Sequence, residues 1–171
     1  IVHTPHGHVF HGHFSPVMSE CFRLIEKLAA LSTHRLVALT REEREDHIRY
    51  RVCPGRKIRI IHSGVDVSRF ENADVDLDAL KKSLGLNPEL PIVGTVGWLL
   101  PIKGPLVLLR AMKQVWDRHP ETQLVYVGKG ELQSVIENEA EQLGVSHKVF
   151  LPGWRPDIHR IMQIFDIFAL P

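Results

Sequence analysis

From residue 91 onward, short apolar runs alternate with amphipathic segments, and this alternation restricts the fold more than any other feature of the chain. The runs are rich in β-branched side chains, whereas the segments between them carry apolar residues every three or four positions. Such alternation is typical of βαβ units, whose strands form a parallel sheet covered by helices. The predicted strands are 92–96, 124–127, 149–151 and 167–170, and the predicted helices are 105–118, 131–143 and 157–164.

One face of each predicted helix should lie against this sheet. The residues expected there are Leu108, Ala111, Met112, Val115 and Trp116 in the first helix, Leu132, Val135, Ile136, Ala140 and Leu143 in the second, and Ile158, Ile161 and Met162 in the third. We therefore predict an α/β fold with a parallel sheet.

The earlier part of the chain carries similar elements. We predict helices at 17–31 and 41–51 and strands at 36–39 and 58–62. Thr40 directly precedes the second helix and is a suitable cap for its first turn. The first helix carries an apolar stripe made of Met18, Phe22, Ile25 and Ala29.

A polar stretch near residues 70–90 separates these two parts. It contains one predicted helix, 76–84, which Gly85 ends. We place the domain boundary in this stretch. Residues 1–72 are then the last part of one Rossmann-like domain, 73–90 a linker and helix, and 91–171 the first part of a second Rossmann-like domain.

Composition excludes several classes of function. The 171 residues are 44% hydrophobic and 24% charged, with a net charge of +1, so nothing favours nucleic acid as a partner. No apolar run approaches the ~20 residues of a membrane span. The two cysteines are too few for a disulfide framework and fit reduced thiols in the cytoplasm. Because both ends look cut, we expect an internal segment of a longer protein.

Two loops carry the functional signal. The first, Gly94 to Gly104, ends a predicted strand in a glycine turn and delivers Lys103 at the start of a helix, with Pro105 suited to the first turn. Backbone N–H groups and a lysine at a helix N-terminus suit an anionic phosphate. The alternative is an ordinary turn with a solvated lysine. The second loop, Ile61 to Phe70, closes one α/β unit before the next begins.

In their order along the chain, Ile61 to Phe70 and then Gly94 to Gly104, the two loops resemble the retaining, nucleotide-sugar-dependent glycosyltransferases of the GT-B type, family four. The family pattern is roughly "NGVD…F" followed by "GRL…KG". It stands here as His62-Ser-Gly-Val-Asp66…Phe70 and Gly97-Trp-Leu-Leu-Pro-Ile-Lys103-Gly104. The resemblance covers nearly the whole chain and implies two Rossmann-like domains. One position departs from the pattern, because Trp98 occupies the place where the family usually has an arginine.

The resemblance also implies a binding site for the sugar donor. The residues expected to bind the donor phosphates are Gly97, Lys103, Gly104 and Lys129. Lys129, in Val127-Gly-Lys-Gly130, would replace the cation lost at Trp98, unless that loop is a simple turn. The segment 149–155 resembles the part that borders the nucleobase, where Gly153 and Arg155 are the expected residues. Trp154 is either a stacking face or part of a surface turn.

Histidines crowd the start of the chain. Thr4-Pro-His6-Gly7 resembles the family's "T.HG" motif, so the resemblance implies that His6 is catalytic and faces the donor sugar. An alternative is a metal site, because His6 and His8, and likewise His11 and His13, share a face in an extended segment. Polar loop histidines are a third interpretation, and His11 also belongs to a His-Gly pair. No carboxylate precedes Glu20, which favours the first interpretation over a metal hydrolase.

The function implied by the resemblance is the retaining transfer of a sugar from a nucleotide-sugar, with UDP the expected nucleotide, to a glycan, lipid or small-molecule acceptor. No metal or other cofactor is expected. The family's acceptor loop would lie before Ile1 and its glutamate motif after Pro171, so the segment alone should be inactive. A non-catalytic nucleotide-sugar-binding module and a nucleotide-sugar epimerase remain alternatives. We expect a cytoplasmic protein, with peripheral contact at the inner membrane face left open.

Overall fold

The computed structural model describes residues 1–5, 14–71 and 76–171. The chain forms two compact units, Ile1–Val65 and Asp66–Pro171. Each unit contains a parallel β-sheet with helices, so both have the predicted α/β character.

The first unit contains a three-stranded parallel sheet of order β1-β2-β3. Its elements are β1 (Val2–His3), α1 (Pro16–Ser32), β2 (Arg35–Ala38), α2 (Arg41–Arg49) and β3 (Ile58–Ile60), with a short 3₁₀ turn at Gly55–Lys57. The Thr40 hydroxyl accepts a hydrogen bond from the Glu43 N–H at 3.1 Å, which confirms the predicted cap. The buried apolar residues are Ala30, Leu36, Ala38, Cys53 and Ile58.

The face of α1 that is buried differs from the predicted stripe. Met18 is 49% exposed and Ile25 is 59% exposed, whereas the buried residues of this helix are Ser19 and Ala30. Ala30 packs with the sheet residue Leu36 in the small core. Periodicity identified the helix correctly, but small residues form its buried face, and a search for large apolar side chains overlooks them.

The second unit contains a four-stranded parallel sheet of order β6-β5-β4-β7. Its helices are α3 (Ser68–Glu71), α4 (Leu77–Ser83), α5 (Pro105–Trp116), α6 (Gln133–Gln142) and α7 (Ile158–Ile161). Its strands are β4 (Ile92–Val96), β5 (Gln123–Val127), β6 (Val149–Gly153) and β7 (Ile167–Phe168). Three 3₁₀ turns lie at Pro101–Lys103, Ser146–Lys148 and Met162–Ile164.

Both faces of this sheet are covered, which explains why all five residues of β5 are buried. Alternate strand residues point into two cores. Leu124 and Tyr126 pack with residues of α5 and α6, whereas Val125 and Val127 pack with Leu80 of α4 and residues around α7. The continuous apolar runs seen in the sequence are therefore central parallel strands.

Two of the residues predicted to face inward do not. Ala111 and Val135 are exposed, whereas Leu109 is fully buried although it was not predicted to be. Leu108, Met112 and Trp116 are buried as predicted, so the buried face of α5 is only slightly rotated. The 3.6-residue period sets the width of an apolar face, but contacts with the sheet decide its edges.

Residues 66–71 and 76–90 pack on the second unit. Leu80 and Leu86 share a core with Ile161 and Ile164. The Phe70 carbonyl accepts a hydrogen bond from the Gln163 amide at 3.3 Å. These contacts lie within the second compact unit, which begins at Asp66. The domain boundary expected at residue 72 stays a prediction.

A buried hydroxyl connects the sheet to the start of α5. Tyr126 is fully buried, and its hydroxyl donates a hydrogen bond to the Pro105 carbonyl at 2.8 Å. Burial raises the pKa of Tyr126, so the hydroxyl stays a donor. Tyr126→Phe should lower the free energy of unfolding by about 1 kcal/mol, since one buried hydrogen bond is lost. Urea denaturation followed by circular dichroism measures this change, and an unchanged midpoint would show that the bond adds no stability.

Candidate functional site

The loops that follow β4, β5 and β6 meet at the carboxyl edge of the sheet and surround one cavity of about 250 Å³. Ligands of parallel α/β sheets bind at this edge. The cavity is lined by Val96, Gly97, Trp98, Val127, Gly128, Lys129, Trp154, Arg155 and Ile158. Of the residues predicted from the sequence as donor-binding, Gly97, Lys129 and Arg155 line the cavity, whereas Gly153 is the last residue of β6 and does not.

Backbone hydrogen bonds hold the three loops together beyond the ends of the strands. The Gly97 N–H donates to the Val127 carbonyl, and the Gly128 N–H donates to the Gly153 carbonyl, both at 3.0 Å. The Leu99 N–H donates to the Lys129 carbonyl, also at 3.0 Å. The cavity floor is therefore an extension of the sheet, which gives it a rigid backbone surface.

Gly128 makes this close approach possible. Its φ is +145°, and a Cβ atom built on it would overlap the carbonyl oxygen of Gly97. The sequence indicated only that the loop 127–130 turns. The requirement for glycine comes from the neighbouring loop after β4 and was missed, because no local pattern records which backbone passes beside residue 128.

Lys103 lines a smaller hollow of about 30 Å³, next to the main cavity. Gly97 and Trp98 line both spaces. Gly104 has the left-handed conformation (φ +59°) and precedes α5, and it has no side chain to cap that helix. The structure thus brings Lys103 to a helix N-terminus as predicted, but it places Lys129 in the larger, adjacent cavity.

The cationic side chains around the cavity differ in whether a carboxylate pairs with them. Arg155 donates two hydrogen bonds to Asp157, from Nε at 2.9 Å and from an Nη at 2.8 Å. These hydrogen bonds hold the pKa of the Asp157 carboxyl below its usual range, so the pair stays ionised. Lys103 and Lys129 form no ion pair with any residue in the described ranges. The two lysines are consequently the better cations for an anionic ligand.

The ion pair with Asp157 limits how Arg155 can act in its predicted role at the nucleobase. A guanidinium already held by a carboxylate has fewer free donors for a ligand. Sequence reasoning missed Asp157, although its position two residues after Arg155 was an available signal. Gly153 has a positive φ of 78°, and a Cβ there would lie 3.7 Å from Cε of Lys129, so it stands at the close approach of two loops.

Trp98 and Trp154 line the same cavity and are 64% and 63% exposed. The sequence left Trp154 as either a stacking face or part of a surface turn, and it marked Trp98 only as the departure from the family arginine. Their common location could not be read from the sequence, because they follow different strands of the sheet, 56 positions apart.

The histidine predictions fall outside the described residues. His6, predicted to be catalytic, and His8, His11 and His13, considered as metal ligands, all lie in the segment 6–13. His3, which is described, has its Nε2 atom 3.3 Å from a Glu26 carboxylate oxygen. Within the described ranges, no three histidine, cysteine or carboxylate side chains are grouped as metal ligands would be. The same ranges contain no helix that is both long and apolar enough to cross a bilayer.

Two solved structures illustrate the likeness in fold. Anabaena HepE, solved with UDP and glucose, superposes with a TM-score of 0.84 at 23% identity, over 99% of this chain and 45% of HepE. WaaG, a glycosyltransferase of lipopolysaccharide biosynthesis, superposes with a TM-score of 0.69 at 22% identity, over 82% of this chain and 38% of WaaG. The predicted fold class, α/β with parts of two Rossmann-like domains of the GT-B type, is confirmed.

Curated relatives show similarity in sequence as well. A UDP-Gal:α-D-GlcNAc-diphosphoundecaprenol α-1,3-galactosyltransferase of Escherichia coli is 33% identical over all of this chain and 45% of its own length. A D-inositol 3-phosphate glycosyltransferase of Corynebacterium jeikeium is 32% identical over 89% of this chain and 39% of its own length. The chain therefore spans less than half the length of these relatives.

Family models divide the chain near the same place as the structure. The glycosyltransferase family 4 model matches residues 1–69. The model for glycosyl transferases group 1 matches residues 76–171, which contain the whole cavity. The chain therefore belongs to the group 1 glycosyltransferases.

Proposed function

We propose that the protein containing this chain is a retaining glycosyltransferase that moves a sugar from a UDP-sugar to a glycan, lipid or small-molecule acceptor. The observation that carries the proposal is the carboxyl edge of the second sheet. There, a cavity and an adjoining hollow bring together two lysines without ion-pair partners in the described ranges and the uncapped start of α5. An elongated ligand with a diphosphate between two larger groups fits this layout.

The diphosphate would lie nearest Lys103. Breaking the anomeric C–O bond leaves the bonding electrons on the nucleotide diphosphate, and the sugar passes through an oxocarbenium-like state. The leaving charge is stabilised by the Lys103 ammonium, by the N-terminal N–H groups of α5 behind Gly104, and by Lys129. Gly97 lets the phosphates approach the backbone. In the proposed mechanism these groups replace a metal ion, so no metal is required.

The nucleobase and the sugar of the donor would contact residues other than the lysines. Gly153 and Arg155 would border the nucleobase, with Arg155 held in place by Asp157. The family resemblance assigns His6 to the sugar, as a hydrogen-bonding partner near the reacting carbon. The acceptor is proposed to be membrane-linked, because the Escherichia coli relative is named for a diphosphoundecaprenol acceptor. To reach such an acceptor, the protein would act in the cytoplasm at the membrane surface.

UDP is preferred over GDP because the same relative is named for UDP-Gal. Another relative, from Corynebacterium glutamicum, is named GDP-mannose-dependent and is 34% identical over 64% of this chain. A test of the donor must therefore include both nucleotides.

Trp98 favours a second candidate, a module that binds a nucleotide-sugar without transferring the sugar. An indole cannot neutralise phosphate charge as the family arginine does. A site that has lost this cation could keep its ligand and lose stabilisation of the leaving group. A nucleotide-sugar epimerase, the third candidate, would convert the donor without any acceptor.

Calorimetric titration of the full-length protein with UDP-, GDP- and ADP-sugars, without added metal, tests the proposal. We expect one donor, a UDP-sugar, to bind with micromolar affinity. Incubation of that donor with lipid-linked and free glycan acceptors, followed by NMR, should give a product with the anomeric configuration of the donor. Binding without transfer to any acceptor would favour the binding module. Conversion of the donor alone would favour the epimerase, and an inverted product would contradict the retaining mechanism.

A further inference from the structure

Two of the three tryptophans of this chain are exposed at one place. Trp98 and Trp154 leave nearly two thirds of their surface in solvent, whereas Trp116 is 6% exposed and donates its indole N–H to the Thr122 carbonyl at 2.7 Å. Large aromatic side chains are normally buried where the fold can bury them. Two exposed indoles on one cavity indicate a surface that a ligand covers.

The size of the cavity indicates what part of a ligand it takes. Pockets for drug-sized ligands measure about 300–1,000 Å³, and this cavity measures about 250 Å³. It is therefore suited to one part of a nucleotide-sugar, with the rest extending outside. The hollow beside Lys103 shares Gly97 and Trp98 with the cavity, so a ligand that fills the cavity can continue towards that lysine.

The charged side chains of the cavity lining restrict the chemical class of the ligand further. Arg155 is matched by Asp157, which leaves Lys129 as the cation of this lining without a carboxylate partner in the described ranges. A flat group that stacks on indoles and carries acceptor oxygens or a nearby phosphate satisfies this combination. A nucleobase has such a face, and bases of every kind stack on aromatic side chains. A sugar ring can also pack its C–H face on an indole, so ligands with and without a base must be compared.

We propose that Trp98 and Trp154 contact the nucleobase of the donor, and that Trp98 replaces a phosphate-binding cation by an aromatic surface. This inference rests on the proposed function and assigns the base of the donor to the main cavity. It follows that binding depends more on the base, and less on the diphosphate, than it would with an arginine at this position.

Tryptophan emission of the full-length protein measures the contact directly. Titration with UMP and GMP should quench the emission, whereas inorganic pyrophosphate and ribose 5-phosphate, which lack a base, should leave it unchanged. Part of the quenching should be absent in Trp98→Phe and another part in Trp154→Phe, because each variant lacks one emitting indole at the cavity. The unquenched part of the emission includes that of the buried Trp116.

Affinity provides the second measurement. Trp98→Leu and Trp154→Leu should each weaken UMP binding about tenfold, the effect of losing one stacking partner, while the phenylalanine variants should bind nearly as well as the original protein. Val135→Ala is a matched control, because Val135 is also an exposed apolar residue but does not line the cavity. Circular dichroism checks that each variant is folded.

The outcomes separate this inference from the proposed function. If UMP or UDP binds but does not quench the emission, or if the leucine variants bind as tightly as the original protein, the base contacts other residues and the inference is wrong. The proposed function would stand in that case. If no nucleotide or nucleotide-sugar binds to the folded full-length protein, both are wrong.

Discussion

Gly128→Ala is expected to lower the free energy of unfolding of the second unit by roughly 2–4 kcal/mol and to abolish nucleotide binding. Two effects combine. The backbone at residue 128 has φ +145°, which L-residues adopt rarely, and the new methyl group would overlap the carbonyl oxygen of Gly97. That oxygen belongs to the backbone and cannot rotate away, so the loop after β4 must shift. The shift would move both Gly97 and Trp98, which line the cavity.

Gly144→Ala provides the matched control for this substitution. Gly144 also has a positive φ, +70°, but no atom lies within 4 Å of a Cβ built there. Gly144→Ala should lower the free energy of unfolding by only about 1 kcal/mol, the usual effect of a side chain in the left-handed region. Denaturant unfolding of both variants, with nucleotide titration of the folded proteins, measures the difference. If the free energy of unfolding falls by the same amount in the two variants, the overlap with Gly97 does not affect stability.

Lys103→Ala is expected to weaken binding of the diphosphate donor about 10- to 100-fold in the full-length protein. The reason is the loss of a charge-assisted hydrogen bond to phosphate at the start of α5, where the helix dipole adds to the attraction. Binding of the nucleoside without phosphates should change little, because Lys103 does not line the main cavity. Calorimetric titration with the UDP-sugar and with uridine separates the two contributions.

Two further variants test whether position or charge matters. Lys113→Ala removes the same charge from the exposed side of the same helix and should leave donor binding unchanged. Lys103→Arg keeps the charge and should retain most of the affinity. If Lys103→Ala binds the donor as tightly as the original protein does, the phosphates lie elsewhere, and Lys129 becomes the first candidate for their cation.

The periodicity of the chain predicted the second unit well. Strand β4 was predicted with its observed bounds, and β5 and α5 differ from their predicted ranges by one and two residues at one end. These elements form where the local apolar period agrees with the tertiary packing. The prediction was weakest in α1, where Ala30 rather than Ile25 is buried.

The candidate site was predicted in part. Lys103 and Gly104 were identified because a strand, a glycine turn and a helix start follow one another along the chain, and these are local features. Gly128 and Asp157 were not identified, since their importance depends on Gly97 and Arg155 as neighbours in space. The catalytic prediction for His6 stays a prediction, because it lies outside the described residues.

The sequence by itself determined the α/β class, most of the succession of helices and strands along the chain, and the lysine at the start of α5. All of these depend on residues within one or two turns of each other, so local periodicity and turn chemistry are sufficient. Only the tertiary structure decided which loops meet. Parallel pairing places the ends of β4, β5 and β6 side by side, and hydrogen bonds between neighbouring loops then bring Trp98, Lys129 and Trp154 to one cavity. Such a meeting depends on strand order and register, which no short segment of the chain encodes.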